Sequence, residues 1–304
     1  MTILLPVAGV SINVFLIIGV GALVGFMSGM FGVGGGFLLT PILMMVGIPP
    51  TVAAASDSCQ IVGASASGAA AHFRLGNVDI KLGGILLLGG LVGAAIGVRI
   101  IKILRAMGNA DFVIVLTYVV VLGGIGGYMF IESLQSLRRG SMVGKSHASG
   151  RKRGLLARLP LQMQFPRSGV QHSVFVPFVL CALVGILAAI MGVGGGFIMV
   201  PMMVYLLRMP MHVAVGTDLF QILFTCTGVA YMQAVSNRTV DLVLAVLLMI
   251  GSTIGAQVGA RVGKKLRGDQ LKILLASIVL LVMVKMAIGL VTTPSNLLSY
   301  AKGH

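Results

Sequence analysis

The sequence predicts an all-α fold: a polytopic transmembrane helix bundle of two homologous halves, with about eight spans and broken helices at two glycine-rich motifs. Three observations carry this. Apolar residues make up 57% of the 304 and charged residues only 10%, with a mean hydropathy of +1.06; a soluble domain carries about 25% charge and needs it to clothe its surface. The apolar residues fall in continuous runs of helical length and not in alternating ten-residue strands, which selects helices over a barrel. Third, Met30-Phe31-Gly32-Val33-Gly34-Gly35-Gly36-Phe37 returns as Met191-Gly192-Val193-Gly194-Gly195-Gly196-Phe197, and Pro41 and Pro201 follow at the same offset.

The elements follow in order. Residues 12–31 form the first span, continued past the glycine break by a helical piece over 36–46. It stops at Gly47-Ile48-Pro49-Pro50, where the prolines suit a turn and the first turn of the next helix. The second span, 51–72, is rich in Ala, Ser and Gly, which permits close helix contact. Gly76-Asn77 marks a turn, the third span covers 80–101 with Arg99, Lys102 and Arg105 at its end, and the fourth covers 111–131. Residues 132–172 form a basic linker (Arg138, Arg139, Lys145, Arg151, Lys152, Arg153, Arg158, Arg167), with an amphipathic piece expected on the membrane surface near Leu155–Phe165. The pattern then repeats: 174–192 with a broken continuation to 207, then 212–235, 241–262 and 271–291. The first apolar run lacks a basic flank and a small-residue cleavage site, so it is expected to be a retained helix.

The repeat extends beyond the glycines. Asp57-Ser58-Cys59-Gln60 aligns with Asp218-Leu219-Phe220-Gln221, Asn77-Val78-Asp79 with Thr239-Val240-Asp241, and the Gly93–Arg99 stretch with Gly255–Arg261. One transmembrane domain, 1–304, is therefore expected, with a first repeat over 12–131 and a second over 173–291. An odd number of crossings per half would give inverted repeats and an even number parallel ones; the sequence leaves both open. Counting Lys and Arg with eight spans puts the linker and both termini together in the cytoplasm.

Composition also excludes functions. The net charge of +15 lies mostly in connections and the linker, where it orients helices and meets anionic lipid; no nucleic-acid partner is expected. Cys59, Cys181 and Cys226 lie inside apolar runs and suggest neither a disulfide framework nor a zinc site. The chain has no HExxH, no CxxC and no nucleophile elbow, and its glycine runs lack the Lys and Ser/Thr of a phosphate loop. No enzyme activity, cofactor or metal is expected.

What remains points to a ligand path. Irregular backbone at membrane depth must face protein or water, and amides at the start of a half-helix favour an anion. Asp57 and Asp218, two of only seven acidic residues, sit at matching places inside a span, where a charge is costly unless it faces a cavity or a partner. Each either caps a nearby half-helix or carries a proton or substrate. Gln60 and Gln221 follow on the same helical face. Lys285, within the last apolar run, either snorkels to the interface or pairs with an anion or an Asp. His72 and Arg74 suit a rim, Arg99 and Arg261 interfacial anchors, and Tyr118 and Tyr128 an interface or the core.

Gly29–Leu38 with Pro41, Gly192–Phe197 with Pro201, the segment around Gln60 with His72, and Gly216-Thr217-Asp218 together resemble the sulfite exporter TauE/SafE family of bacterial membrane transporters. The resemblance covers both halves and not the linker. It implies a multi-pass inner-membrane secondary transporter that exports small anions such as sulfite, sulfoacetate or related organosulfur and organic acids. In that picture Gly34, Gly35, Gly36, Gly194, Gly195, Gly196, Ser56, Ser58, Thr217, Gln60 and Gln221 meet the anion. Asp57, Asp218 and Lys285 serve coupling or gating, with a proton as coupling ion, and membrane lipid is the other partner. The alternatives are a non-transporting scaffold acting through its basic linker, and an anion channel.

Overall fold

The computed structural model describes residues 2–31, 36–138, 162–165, 167–168, 170–263 and 268–291. Among these are ten α-helices. In chain order they are α1 (Val14–Phe31), α2 (Gly36–Met45), α3 (Pro50–Arg74), α4 (Ile80–Ala106), α5 (Ala110–Arg138), α6 (Phe175–Met191), α7 (Gly196–Tyr205), α8 (Met211–Met232), α9 (Leu242–Gly263) and α10 (Gly268–Val291). A π-helical turn, Gln233–Asn237, prolongs α8. Four stretches are long and apolar enough to cross a membrane: Ile80–Ala106, Ala110–Tyr128, Met211–Asn237 and Leu242–Gly259. Their outer faces carry exposed Leu88, Val92, Phe112, Val120, Tyr231, Val246 and Ile254, an apolar surface that water would penalise and lipid does not.

Two short hairpins precede α1 and α6. Strand β1 (Thr2–Leu4) pairs antiparallel with β2 (Ser11–Asn13), and β3 (Gln162–Phe165) with β4 (Val170–Ser173). Of the amphipathic piece expected over 155–165, residues 162–165 form a strand of this hairpin, and 155–161 lie outside the described residues. The fourth span also runs on into the expected linker, to Arg138.

Small residues set which helices touch. Gly251, Gly255 and Gly259 of α9 fall one turn apart, and a Cβ on any of them would run into the backbone carbonyl of Ile18, Ala22 or Phe26 on α1. Gly89, Gly93 and Gly97 of α4 meet Phe178, Ala182 and Ile186 of α6 in the same way. These backbones approach as closely as small-residue seams permit in lipid. In both pairs the numbers rise together, so α1 runs parallel to α9 and α4 parallel to α6.

Two further pairs between the halves run the other way. Gly126 of α5 faces Val279 of α10 and Gly123 faces Met283, so these two are antiparallel. Gly216, near the start of α8, abuts His72 and Asn77 at the end of α3, and Gly68 of α3 abuts Leu219. Hence α3 and α8 are antiparallel as well.

One expectation is corrected here. Ser56 of α3 accepts the Asp241 N–H at the start of α9, and Gln60 bonds Ser252 further along it, so α3, α9 and α1 share one direction. If α1 and α3 both run the same way, α2 between them turns back and does not continue α1. The second half shows the reversal directly: Gly195, at the start of α7, lies against Val184 and Ala188 of α6. Each short helix, about 15 Å long at 1.5 Å per residue, returns only part of the way across a core of about 30 Å. Five segments thus separate the N-terminal hairpin from the linker, and the two lie at opposite ends of the bundle. The β1–β2 hairpin seats on the start of α9, where Val7 N donates to Asp241 Oδ2 at 3.0 Å. The β3–β4 hairpin seats on the start of α4, where Ser168 Oγ donates to Asp79 Oδ2 at 2.7 Å.

Candidate substrate site

The centre of the molecule is the crossing of α3 and α8, closed from the sides by α2 and α7. Alanine, serine and glycine on α3 let α8 approach, and the antiparallel alignment turns the polar series of each helix inward. Ser56, Asp57, Ser58, Gln60, Thr217, Asp218 and Gln221 are all buried, Asp57 at 0% and Asp218 at 2% exposure.

Thr40 Oγ1 of α2 donates to Asp57 Oδ2 at 2.7 Å, tying the short helix to the carboxyl. A Cβ on Gly36 would lie 3.2 Å from that oxygen and would collide with the Ile61 side chain, so the start of α2 rests directly on α3. Asp57 Oδ1, Asp218 Oδ1 and Gln60 Oε1 are buried without a hydrogen-bond partner. Leaving a buried acceptor unmet costs about 1–3 kcal/mol, so these oxygens are where a bound proton or a ligand's donor would be met.

The donors belong to the second glycine crossing. Helix α6 ends at Gly192 in the left-handed region, with φ of +76°, and Gly194 and Gly195 follow at +73° and +83°. Gly195 is the N-cap of α7 and offers no side-chain cap; its carbonyl accepts from Ile198 and Met199, which leaves the first amides of α7 outside the helical ladder. Every residue from 191 to 200 is buried. Buried, uncapped amides at a helix start favour negative charge. Tyr118 OH of α5 donates to Met191 O at 2.5 Å and so fixes where α6 stops.

The sequence-predicted residues therefore separate into groups. Gly36, Asp57 and Gly194 come together at the crossing, while Gly195 lies against Val184 and Ala188 of α6 and Gly196, buried, begins α7. Gln60 is turned to α9, its Nε2 donating to Ser252 Oγ at 2.5 Å, and Gln221 Nε2 donates to Thr225 Oγ1 at 2.8 Å. Ser58 Oγ donates to Ala54 O within its own helix. Ser56 and Thr217 accept the backbone N–H groups of Asp241 and Asp79, at 3.0 Å each. Gly34 and Gly35 lie outside the described residues, and Lys285 lies exposed on α10, apart from the residues gathered at the crossing.

Four features had no functional role assigned from sequence. Thr40 gave no pattern of its own, and Tyr118, expected at an interface or in the core, is buried in the core. Asp79 and Asp241, which cap α4 and α9 through Leu82 N and Leu244 N at 3.2 and 3.1 Å, showed only as a repeated Val-Asp. Phe37 and Phe197 stood in plain sight inside the glycine motifs. They stack face to face across the crossing, ring centroids 4.5 Å apart and planes 14° from parallel. Among the described residues no cluster of His, Cys, Asp or Glu has the make-up of a metal site.

Comparison with known proteins finds a family of membrane transporters. The family model described as "Sulfite exporter TauE/SafE" matches residues 17–286. The "Probable membrane transporter protein YjnA" of Bacillus subtilis is 26% identical over 267 residues, covering 87% of this chain and 96% of that protein. A "Probable membrane transporter protein" of Xylella fastidiosa is 27% identical over 241 residues, 79% of this chain and 80% of its own. The Arabidopsis thaliana "Sulfite exporter TauE/SafE family protein 1" is 31% identical over 93 residues, 30% of this chain and 21% of its own. No solved structure matches the chain.

Proposed function

Since the chain belongs to the sulfite exporter TauE/SafE family and is a polytopic membrane transporter, we propose that it works as a secondary exporter of small anions across the bacterial inner membrane. Sulfite, sulfoacetate and related organosulfur or organic acids are the substrate class, which the family description and the Arabidopsis relative's printed name support. The observation that carries an anion is the buried, uncapped start of α7 at Gly194–Gly196. The anion meets these amides and those following Gly34–Gly36; Ser58, Gln60 and Gln221 line its path, and Ser56 and Thr217 stand at the path's two ends. Asp57 or Asp218 carries a coupling proton, which the unpartnered Oδ1 of each supports. Lys285, being exposed, fits an interfacial anchor better than a partner of either carboxyl.

The two halves, 12–131 and 173–291, are read as inverted repeats with eight spans and two short returning helices. An axis in the membrane plane makes α3–α8 and α5–α10 antiparallel, as observed, whereas an axis along the normal would make them parallel. Alternating access then amounts to rocking one half on the other. Two bonds between halves, Thr217 to Asp79 and Ser56 to Asp241, lie at opposite ends of the bundle, one for each side.

Flux of sulfite and sulfoacetate into proteoliposomes, with and without a pH gradient, tests this. Saturable flux stimulated by the gradient is expected. Asp57→Asn or Asp218→Asn should cut the stimulation about tenfold, a change of about 1.4 kcal/mol in barrier. Unchanged stimulation in both variants would remove the carboxyls from coupling, and flux that never saturates would make the protein a channel.

A further inference from the structure

We propose that the open groove between the last turns of α3 and the middle of α8 binds one anionic phospholipid, an acyl chain lying in the groove and the phosphate held by Arg74. Nothing in this depends on which solute the protein carries.

The groove follows from residue size. Ala66, Ala69, Ala70 and Phe73 recur on one face of α3 at the three- and four-residue spacing of helical neighbours. Three of the four side chains are single methyl groups, so the α3 side stays low. Phe220, Leu223 and Phe224 of α8 form the facing wall. Phe220 and Phe224 pack edge to face, with centroids 5.2 Å apart and planes 69° from parallel. Helix α4 backs this wall, since a Cβ on Gly83 would stand 2.9 Å from the Phe220 ring. The space left open is about 330 Å³, and Phe73 and Phe224 stand exposed on its two lips. From Ala66 to Phe73 it runs about 10 Å at 1.5 Å per residue, within the roughly 15 Å that one leaflet of a 30 Å core offers.

The lining carries one charge, and that charge marks the occupant. Arg74 ends α3 and borders the groove beside Phe73. It is exposed, and among the described residues it has no acidic partner. Asp79, the nearest carboxylate in sequence, is buried and already accepts from Leu82 N, Ser168 N and Ser168 Oγ. Lys81, also exposed, lies on the first turn of α4, two residues before the Gly83 that backs Phe220. A second cation therefore stands at the same end of the bundle.

The two parts of the site have different tasks. A lipid tail gains little by leaving other tails for this groove, because both surroundings are apolar. Selection thus falls to the headgroup. A guanidinium meets a phosphate through two parallel N–H bonds, and Lys or Arg near the surface favours anionic lipid. A soluble anion would use Arg74 and leave the groove open; a zwitterionic lipid would fill the groove but bring a cation of its own toward Arg74. Because α3 and α8 belong to opposite halves, a chain seated on both walls also ties the halves together, and binding should raise the melting temperature.

The test uses the full-length protein in neutral detergent, given phosphatidylglycerol or phosphatidylcholine and read by native mass spectrometry and by melting temperature. One phosphatidylglycerol should be retained at least about fivefold more tightly than phosphatidylcholine. Arg74→Gln should abolish most of that preference, and Arg74→Lys, which keeps the charge without the fork, should keep part of it. Ala70→Phe fills the groove from an exposed position and should weaken retention of both lipids. Arg99→Gln removes an equal charge at the opposite end of the bundle and should bind like the parent. Equal retention of the two lipids by the parent, or an equal loss in Arg74→Gln and Arg99→Gln, would overturn the site. So would an Ala70→Phe variant that holds lipid like the parent but changes the number of chains per particle, since the groove would then belong to a second copy of the chain.

Discussion

At Gly192 the backbone has a φ of +76°, and a Cβ would drive into the backbone of Ala54 on α3. Both facts forbid a side chain: the left-handed region costs other residues roughly 1–2 kcal/mol, and a backbone neighbour cannot swing away as a flexible side chain could. Gly192→Ala should therefore lower stability by about 2 kcal/mol or more, read as a fall in melting temperature in detergent. Gly84→Ala, where nothing lies within 4 Å of the added atom, should melt like the parent. At this scale the sequence was informative wherever a residue type was out of place. A carboxylate inside an apolar run and a run of glycines inside a helix each contradict their surroundings, so Asp57, Asp218 and both crossings stood out. Thr40 and Tyr118 do not contradict theirs. Only the fold brings Thr40 onto Asp57 and Tyr118 onto Met191.

Among the elements, α4 and α9 share a device that neither could build alone. Each begins at an Asp that caps its own helix, binds a hairpin from elsewhere in the chain, and is itself held by a hydroxyl of α8 or α3. Removing Asp79 strips acceptors from Leu82 N, Ser168 N and Ser168 Oγ. Losing an N-cap costs about 1 kcal/mol, and stranding a buried donor roughly 1–3 kcal/mol more. Asp79→Ala should thus destabilise the protein by about 2–4 kcal/mol and free the β3–β4 hairpin, read as faster tryptic cleavage at Arg167. Asp79→Asn keeps one acceptor oxygen and should fall between the parent and Asp79→Ala; cleavage at the parental rate in both variants would count against the latch. The matched Val-Asp pairs were visible in the sequence as a repetition. Their work was not, because the partners Thr217 and Ser56 lie far away in the chain and reach them only once α8 and α3 lie antiparallel.

Taken whole, the molecule separates the N-terminal hairpin and the end of α10 from the end of α5, where the linker begins. The end of the bundle where α5 stops and the β3–β4 hairpin seats also carries Arg74, Lys81, Arg208 and Arg261, and in sequence the basic stretches 138–167 and 264–272 adjoin it, the greater part of the 22 Lys and Arg. The opposite end has Arg99, Lys102, Arg105 and Arg238. Arg105 there donates to Asn237 O across to the turn after α8. Excess positive charge marks the cytoplasmic side, so the linker is expected inside and the N-terminus and the end of α10 outside. A reporter fused after His304 should be active as alkaline phosphatase and dark as a cytoplasm-dependent fluorescent protein, with the reverse for one inserted at Gly150; a fluorescent C-terminal fusion would reject this orientation. The expectation of a shared side arose because a glycine break is compatible with either continuing a helix or reversing it, and no local pattern tells these apart. The choice is made by contacts such as Gly195 against Val184, formed between helices that adjoin in space only after the reversal.

The parallel seams of α1 with α9 and of α4 with α6 carry a consequence for how the protein is made. A ribosome delivers α1 long before α9, and α4 before α6, so the glycine seams wait uncovered in the bilayer while the linker is translated. Contacts between such distant stretches close slowly, and an incomplete chain presents small-residue faces to any other helix nearby. Synthesis stopped in the linker would leave a half whose best surfaces fit only what has not yet been translated. Completing the chain, and not merely inserting its first helices, is what commits this protein to its fold.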